Sequence, residues 1–502
     1  MTPLRGVRPA RSRALSEVVD RLSAAGVLLA APTDDPSIAG VADDSRRVGP
    51  GDLFCAWTGT ESDGHRFVEA AAKAGAAAAI VERRVDGVSI PQVVVRDGRT
   101  AAAYAAALLF DDPGRELALV GVTGTNGKTT TVWLLRSLLA LRYRPASIGT
   151  LGIVLEDGSL LPGSESLTTP GPVDMARALR LLVDRGVTAV AMEVSSHALH
   201  QGRVAALRYD VAVFTNLTRD HLDYHETLDE YRSAKLRLLD LLTENGIAVA
   251  NADDPAWADL ASRTRRVLRF SVDSHDAEIR ARSVRYDALG AHFRLETSGG
   301  ALPVDLPLLG SYNVQNALAA AAACFALGFD GEQVAVALEA LPQVPGRLER
   351  IAERPCPVLR DYAHTPDALE RALQALRPLA GGRLILVFGA GGDRDRGKRP
   401  LMGAVAAAGA DVAIVTSDNP RTEQPAAIID DIVSGMKGAR FERITDRREA
   451  IHYALEVAGP DDVILLAGKG HETYQIVGHE KVSFDEREIV RQHLETLNGS
   501  AA

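Results

Sequence analysis

The most constraining feature of this chain is an apolar run, Leu117-Ala118-Leu119-Val120-Gly121-Val122, that opens directly into Thr123-Gly124-Thr125-Asn126-Gly127-Lys128-Thr129-Thr130. The run reads as a buried strand, the octet as a glycine-rich turn, and Thr131 to Leu141 as an amphipathic helix. That strand, loop and helix order is the context a phosphate-binding loop requires. Gly124 and Gly127 let backbone N–H groups curl around phosphate oxygens, and the helix N-terminus adds a partial positive charge. Lys128 is placed to reach the β- and γ-phosphates, with Thr129 or Thr130 as a Mg²⁺ ligand. The strict G-x-x-x-x-G-K-[ST] pattern fails because position 122 is valine. A glycine-rich turn with a solvated lysine is the bland alternative, and Gly-Lys-Thr-Thr immediately after a strand outweighs it.

Elsewhere short Val/Ala/Ile-rich runs alternate with longer Ala- and Leu-rich amphipathic segments, so the fold class is α/β, built on parallel sheets. At about 150 residues per domain, 502 residues predict three domains. Turn-rich breaks at Asp111-Asp112-Pro113-Gly114, Leu341-Pro342-Gln343-Val344-Pro345-Gly346 and Arg354-Pro355-Cys356-Pro357 divide the chain into 1–112, 113–344 and 345–502. The 56 Lys+Arg against 66 Asp+Glu give a net charge of -10, which disfavours nucleic acid as a partner and requires any anionic ligand to be caught locally. Cys55, Cys324 and Cys356 are far apart with no CxxC pair, which fits a reducing cytoplasm. No run reaches the roughly 18 apolar residues a membrane span needs. The arginines at 5, 8, 11 and 13 are interrupted by Pro3, Pro9 and Ser12 and read as a frayed basic arm. A monomer is the default expectation.

Downstream, Thr188 to Met192 is strand-like and ends in Glu193, which places a carboxylate at a strand's C-terminal end, where open α/β sheets bind ligands. A third run, Val211 to Phe214, leads into Thr215-Asn216-Leu217-Thr218-Arg219-Asp220-His221-Leu222-Asp223-Tyr224-His225, a stretch dense in metal and phosphate ligands. Glu193 and His221 are candidates to complete Mg²⁺ shells beside Lys128. Asp220 has a bland reading as a helix cap; Asp223 and His225 read as structural, His225 as a surface histidine.

In order along the chain, Gly124 to Thr130, Met192-Glu193-Val194-Ser195-Ser196-His197 and Asn216 to Asp223 resemble the Mur ligase family, whose members make amide bonds with ATP. The resemblance extends through Tyr231-Arg232-Ser233-Ala234-Lys235, Gly310 to Asn316, Pro345 to Glu349 and Asp361-Tyr362-Ala363-His364. It implies a central P-loop-type ATPase domain with a parallel sheet and a Rossmann-like C-terminal domain. It also implies that Lys235 carries a CO₂-derived carbamate, whose oxygens are better Mg²⁺ ligands than an ammonium. The metal set it implies is Thr129, Thr130, Glu193, His221 and Lys235. Asn316 resembles the adenine contact, Arg347 the phosphate-binding arginine, and Asp361 the ribose carboxylate. His364 is open between a proton relay and a structural hydrogen bond.

The N-terminal third resembles the uridine-nucleotide-binding domain of the tripeptide-forming members, through Asp43-Asp44-Ser45-Arg46, Gly51 to Phe54 and Asp63-Gly64-His65. Folylpolyglutamate synthases lack such a domain. Ser45, Thr60, Glu61 and Ser62 then map onto positions that hold the UDP-sugar, and Thr168, Thr169, Ser195, Gln201 and Arg203 onto those that hold the muramoyl dipeptide. In the last third, Asp418-Asn419-Pro420-Arg421 resembles the family's diaminopimelate-selecting motif, because arginine offers a fork for the second carboxylate that lysine lacks. Gly468 and Glu472 resemble the motif holding the incoming amino acid, with Arg394 for its carboxylate. The implied activity is an ATP-dependent, acyl-phosphate ligation of meso-diaminopimelate to UDP-MurNAc-L-Ala-D-Glu. Against it stand a lysine-adding or folate-type ligase of the same fold, and a P-loop nucleotide switch without ligase chemistry.

Overall fold

The computed structural model describes residues 3–59, 62–164, 167–274, 276–287 and 289–499. The fold is α/β, and its contacts gather the chain into two units. The first holds residues up to Arg280 with Glu296–Ala301 and Gln315–Ala337; the second holds Ala281–Leu295, Leu302–Val314 and the chain from Leu338 onward.

Beside a two-stranded antiparallel pairing of Arg13–Ala14 with Ser37–Ile38, the first unit contains two main sheets. The smaller has the spatial order Leu28–Ala30, Gln92–Val95, Ala78–Val81, Asp52–Cys55 and Gly40–Ala42, parallel except for its antiparallel first strand. The larger begins with Gly152–Val154, Pro145–Gly149, Ala189–Glu193, Ala118–Thr123, Tyr209–Phe214, Leu242–Asn251 and Val267–Ser271, these seven parallel apart from the first pair, and continues through Ile279–Asp287, Gly290–Thr297 and Gly300–Leu306. The central strands Asp52–Cys55, Ala78–Val81, Ala118–Thr123, Ala189–Glu193 and Tyr209–Phe214 are buried along nearly their whole length, which is why they read as continuous apolar runs rather than alternating ones.

Helix Pro172–Asp184 joins the two sheets. Pro172 at its first position and Asp174 in its first turn suit a helix start and its dipole. Val173 and Ala176 enter the core of the smaller sheet, whereas Met175, Ala178, Leu179 and Leu182 enter that of the larger. Truncating one of these buried leucines to alanine costs about 2–5 kcal/mol. The N-terminal arm, expected to fray, is tied down instead: Arg8 pairs with the buried Asp52 at 2.7 Å, and Arg13 with Glu17 and Asp111. Buried Asp52 would lack a compensating charge without Arg8.

The second unit has a six-stranded sheet in the order Glu349–Ala352, Val358–Asp361, Val463–Ala467, Leu384–Phe388, Val412–Val415 and Phe441–Arg443. It is parallel apart from the antiparallel first pair. One apolar layer, with Leu369, Leu373, Met402 and Ile429, and another, with Ile451, Leu455 and Ile489, cover its two faces. Among the described residues, no helix is long and apolar enough to cross a membrane.

Candidate active site

Strand Ala118–Thr123 lies in the middle of the larger sheet, between Ala189–Glu193 and Tyr209–Phe214. The register pairs Val122 with Glu193 on one side and Thr123 with Phe214 on the other. The carboxyl ends of three strands therefore surround the loop at residues 124–127, the crevice at which open sheets bind ligands. Gly127 has φ +86° and caps helix Lys128–Leu139; a Cβ there would run into Asn316 Oδ1. The loop is braced by the segment after Phe214. Asn126 N donates to Asn216 Oδ1 at 2.8 Å, Thr125 N to the Asn216 carbonyl at 2.8 Å, and Thr215 Oγ1 to the Asn126 carbonyl at 2.7 Å. Lys128 Nζ lies against the loop, donating to the carbonyls of Gly124 and Thr125 at 2.9 and 2.8 Å. Thr129 and Thr130 are buried in the first helical turn. Asn316 is buried, and its Oδ1 accepts from Thr131 Oγ1 at 3.5 Å.

Lys235, on helix Leu228–Leu236, is buried against the same loop. Its Nζ donates to the Gly124 carbonyl at 2.7 Å and sits 4.2 Å from the centre of the Tyr231 ring. Desolvation, with the nearby Lys128 charge adding to it, holds the amine well below the ordinary lysine range. Glu193 is buried, accepting from Thr150 N at 2.8 Å and from Thr150 Oγ1 at 3.2 Å. Among the described residues, no three His, Cys, Asp or Glu side chains converge closely enough to hold a metal by themselves. The donors beside the loop are one buried carboxylate and two hydroxyls, which fits Mg²⁺, an ion that takes few protein oxygens and leaves the rest of its shell to water and phosphate.

His221 is exposed, has φ +53°, and packs edge-on to His197 with ring centres 4.8 Å apart. Asp220 does not cap the following helix by its side chain; its Oδ1 accepts from His221 N at 2.9 Å. His225 departs from its reading as a surface histidine. It is buried, its Nε2 lies 3.0 Å from Ser196 Oγ, and burial lowers its pKa to about 4.

The residues expected around the dipeptide form one hydrogen-bonded chain. Thr168 Oγ1 lies 3.2 Å from Thr150 Oγ1, while Thr169 Oγ1 donates to the Glu193 carbonyl at 2.9 Å and accepts from Ser195 N at 3.1 Å. Arg203 donates to the Thr169 carbonyl at 3.1 Å and to Gln201 Oε1 at 2.9 Å. Ser45 begins a short 3₁₀ turn capped by Asp44, and Ser62 is exposed. Neither is hydrogen-bonded to that chain among the described residues. Thr60 and Glu61 lie outside the described residues.

In the second unit the expected residues other than Arg347 again lie at or after strand ends. Asp361 is buried at the end of Val358–Asp361, where Oδ2 accepts from Leu348 N at 2.7 Å; burial raises its pKa, opposed by Arg347. The Arg347 guanidinium lies 4.8 Å over the Tyr362 ring. His364 Nδ1 lies 2.8 Å from the Tyr362 carbonyl oxygen. Arg421 has φ +52° and is held at three points: its N–H donates to the Ile476 carbonyl at 3.0 Å, its carbonyl accepts from Gly478 N at 2.8 Å, and Nη1 donates to the Gly392 carbonyl at 2.7 Å. Asn419 Nδ2 donates to Glu472 Oε2 at 2.9 Å. Arg394 is exposed on the glycine-rich loop after Leu384–Phe388.

Three family models match the chain: "Mur ligase family, catalytic domain" over residues 37–119, "Mur ligase middle domain" over 122–324, and "Mur ligase, glutamate ligase domain" over 346–470. The UDP-N-acetylmuramoyl-L-alanyl-D-glutamate--2,6-diaminopimelate ligase of Geobacillus kaustophilus is 46% identical over 91% of this chain and 95% of its own. The chain belongs to the Mur ligase family. The Gloeobacter violaceus protein of the same name is 44% identical over 92% of this Mur ligase and 94% of its own length. A solved structure of a ligase of that name superposes with a TM-score of 0.67 at 36% identity, covering 92% and 96% of the two chains.

Sequence reasoning about this Mur ligase missed three residues that the fold brings to these sites. Thr150 follows strand Pro145–Gly149 and links Glu193 to Thr168. Asn216 braces the phosphate loop through its side chain and its carbonyl. Lys469 is buried among Asp418, Asn419 and Glu472. All three carried one usable signal, a place within two residues past the end of a strand in an open α/β sheet.

Proposed function

We propose that this Mur ligase joins meso-diaminopimelate to UDP-MurNAc-L-Ala-D-Glu with ATP, releasing ADP and phosphate, in peptidoglycan precursor synthesis. In this reading residues 1–112 receive the sugar nucleotide, 113–344 the ATP, and 345–502 the amino acid. The observation that carries the choice of amino acid is Arg421, fixed at three backbone points in the turn whose Asn419 bonds Glu472. The far end of meso-diaminopimelate offers a carboxylate for a guanidinium fork and an ammonium for a carboxylate, and lysine offers only the second. Relatives 41–46% identical that carry the diaminopimelate ligase name support it.

A carboxylate is a poor electrophile, so the D-glutamate γ-carboxylate first attacks the γ-phosphorus of ATP, giving an acyl phosphate and ADP. The amine of the diamino acid then attacks the acyl carbon, and the tetrahedral adduct expels phosphate and leaves an amide. The loop N–H groups of residues 124–130 cradle the phosphates, and Lys128 meets the β- and γ-oxygens by rotating its side chain off the loop carbonyls. Asn316, Arg347 and Asp361 are assigned to adenine, phosphate and ribose. Ser45, Thr60, Glu61 and Ser62 are assigned to the UDP-sugar, and Thr168, Thr169, Ser195, Gln201 and Arg203 to the dipeptide, whose γ-carboxylate they orient. Arg394, Asp418, Asn419, Arg421, Gly468 and Glu472 are assigned to the diamino acid.

Lys235 in its neutral form adds through its lone pair to the carbon of CO₂ and loses one proton, giving a carbamate. That carbamate, Glu193, His221, Thr129 and Thr130 would hold Mg²⁺. The metal, when bound, neutralises phosphate charge as it shifts toward the leaving ADP. The protein is read as a cytoplasmic monomer with no nucleic-acid partner.

Phosphate release with Mg²⁺, ATP, UDP-MurNAc-L-Ala-D-Glu and either meso-diaminopimelate or L-lysine, with the product identified by mass, tests the reading. Turnover with diaminopimelate alone is expected. Preference for lysine overturns the Arg421 assignment, and no turnover with either overturns the function.

A further inference from the structure

Lys469 is completely buried between Gly468 and Gly470, whose φ angles are +114° and +54°. Its ammonium lies 3.1 Å from Asn419 Oδ1, 3.3 Å from Glu472 Oε2 and 3.4 Å from Asp418 Oδ1. An ammonium out of water needs acceptors for its three N–H bonds, and these three oxygens supply them. Gly468 keeps the cluster tight, because a Cβ there would come within 2.8 Å of Asp418 Oδ2.

The same cluster holds the two segments assigned to the diamino acid. Asn419 Oδ1 accepts from Lys469 and also from Ile476 N at 3.0 Å, and its Nδ2 donates to Glu472 Oε2. Among the described residues, every hydrogen bond accepted by the Glu472 carboxylate falls on Oε2, from Lys469 and Asn419. Oε1 is thereby left for a ligand. Two carboxylates and one ammonium leave the cluster with a single negative charge, the complement of one incoming ammonium. Without Lys469 the carboxylates of Asp418 and Glu472 would face each other's charge with no cation between them.

We propose that Lys469 is a positioning residue that orients Glu472 and the Asp418-Asn419 turn to receive the distal ammonium of the incoming diamino acid. This rests on the reading above that Glu472 and Arg421 take that amino acid. Lys469 does not itself touch the substrate, and its effect passes through Glu472 Oε2 and Asn419 Oδ1. A purely structural lysine would disturb all three substrates alike, whereas a positioning lysine disturbs one.

The test compares the unsubstituted protein with K469M and K469Q, measuring kcat and the KM values for meso-diaminopimelate, ATP and UDP-MurNAc-L-Ala-D-Glu, with melting temperature as the check on folding. The KM for meso-diaminopimelate is expected to rise about tenfold or more, the size of one lost charge-assisted hydrogen bond, with the other two KM values within about twofold. In an E472Q background, K469M is expected to add less than about a further twofold, because the two residues act as one unit. An unchanged diaminopimelate KM in a folded variant overturns the proposal, as do parallel rises in all three KM values or loss of the fold in both variants. Absence of diaminopimelate turnover in the unsubstituted protein overturns the functional reading, and with it this proposal.

Discussion

The Lys235 amine donates to the Gly124 carbonyl at 2.7 Å, so a buried nitrogen is fixed against the first turn of the phosphate loop. Its pKa is lowered first by desolvation and then by Lys128. Between that lowered value and the ordinary lysine value, the unfolded chain binds a proton that the native chain does not. Stability therefore rises with pH across that window, and at neutral pH the lysine costs stability. In CO₂-depleted buffer, K235M is expected to melt at least about 2 °C above the unsubstituted protein at pH 7, with a flatter pH dependence. The same substitution is expected to lower phosphate release by at least ~100-fold. Calorimetry across pH checks the first, and bicarbonate-dependent activity of the unsubstituted protein checks the chemistry behind the second.

Glu193 is held by the N–H and the hydroxyl of Thr150, both aimed at its carboxylate. E193Q keeps the shape and removes the charge assigned to Mg²⁺. Turnover is expected to fall by about 100- to 1,000-fold, with a higher Mg²⁺ requirement for what remains. Phosphate release titrated with Mg²⁺ separates the two. A fall in rate with an unaltered Mg²⁺ requirement would give Glu193 to substrate positioning.

The phosphate loop was legible because everything that makes it is contiguous: an apolar run, two glycines that take positive φ, a lysine and a helix. Glu193 was legible for a similar reason, as the polar residue that ends a strand. The errors arise where distant segments decide. His225 looks like a surface residue among polar neighbours, yet Ser196 and Tyr231 close over it. Lys469 is flanked by glycines that say nothing of its burial, which depends on a turn 50 residues earlier. Thr150 acquires a role only once the strand ending at Gly149 lies beside Ala189–Glu193. The arginines of the N-terminal arm looked free because their acidic partners, Asp52 and Asp111, lie far along the chain.

Gly127 adopts φ +86° with Asn316 Oδ1 where a Cβ would stand. G127A combines a left-handed alanine, about 1–2 kcal/mol, with displacement of the buried asparagine assigned to adenine. A drop in melting temperature of about 2–4 °C per kcal/mol and a roughly tenfold or greater weakening of ATP binding are expected together. Calorimetric titration with ATP and Mg²⁺, set beside the melting curve, checks that the two losses coincide. Normal ATP affinity in G127A would move the nucleotide away from this loop.

Arg421 is held in the left-handed region by the Ile476 carbonyl and Gly478 N–H while its Nη1 bonds the Gly392 carbonyl. One end of the guanidinium is thus spent on the protein, which fixes the plane that a ligand carboxylate meets. R421A is expected to raise the KM for meso-diaminopimelate by about 10- to 100-fold, the value of a charged hydrogen bond. Any lysine turnover should stay near its starting level, since lysine lacks the second carboxylate. R421K restores the charge but neither the fork nor the Gly392 anchor, so it should recover little of the loss. Measuring both amino acids with all three proteins gives the ratio that decides it. A wild-type KM in R421K would mean that charge alone recognises the carboxylate and that the fixed guanidinium plane is dispensable.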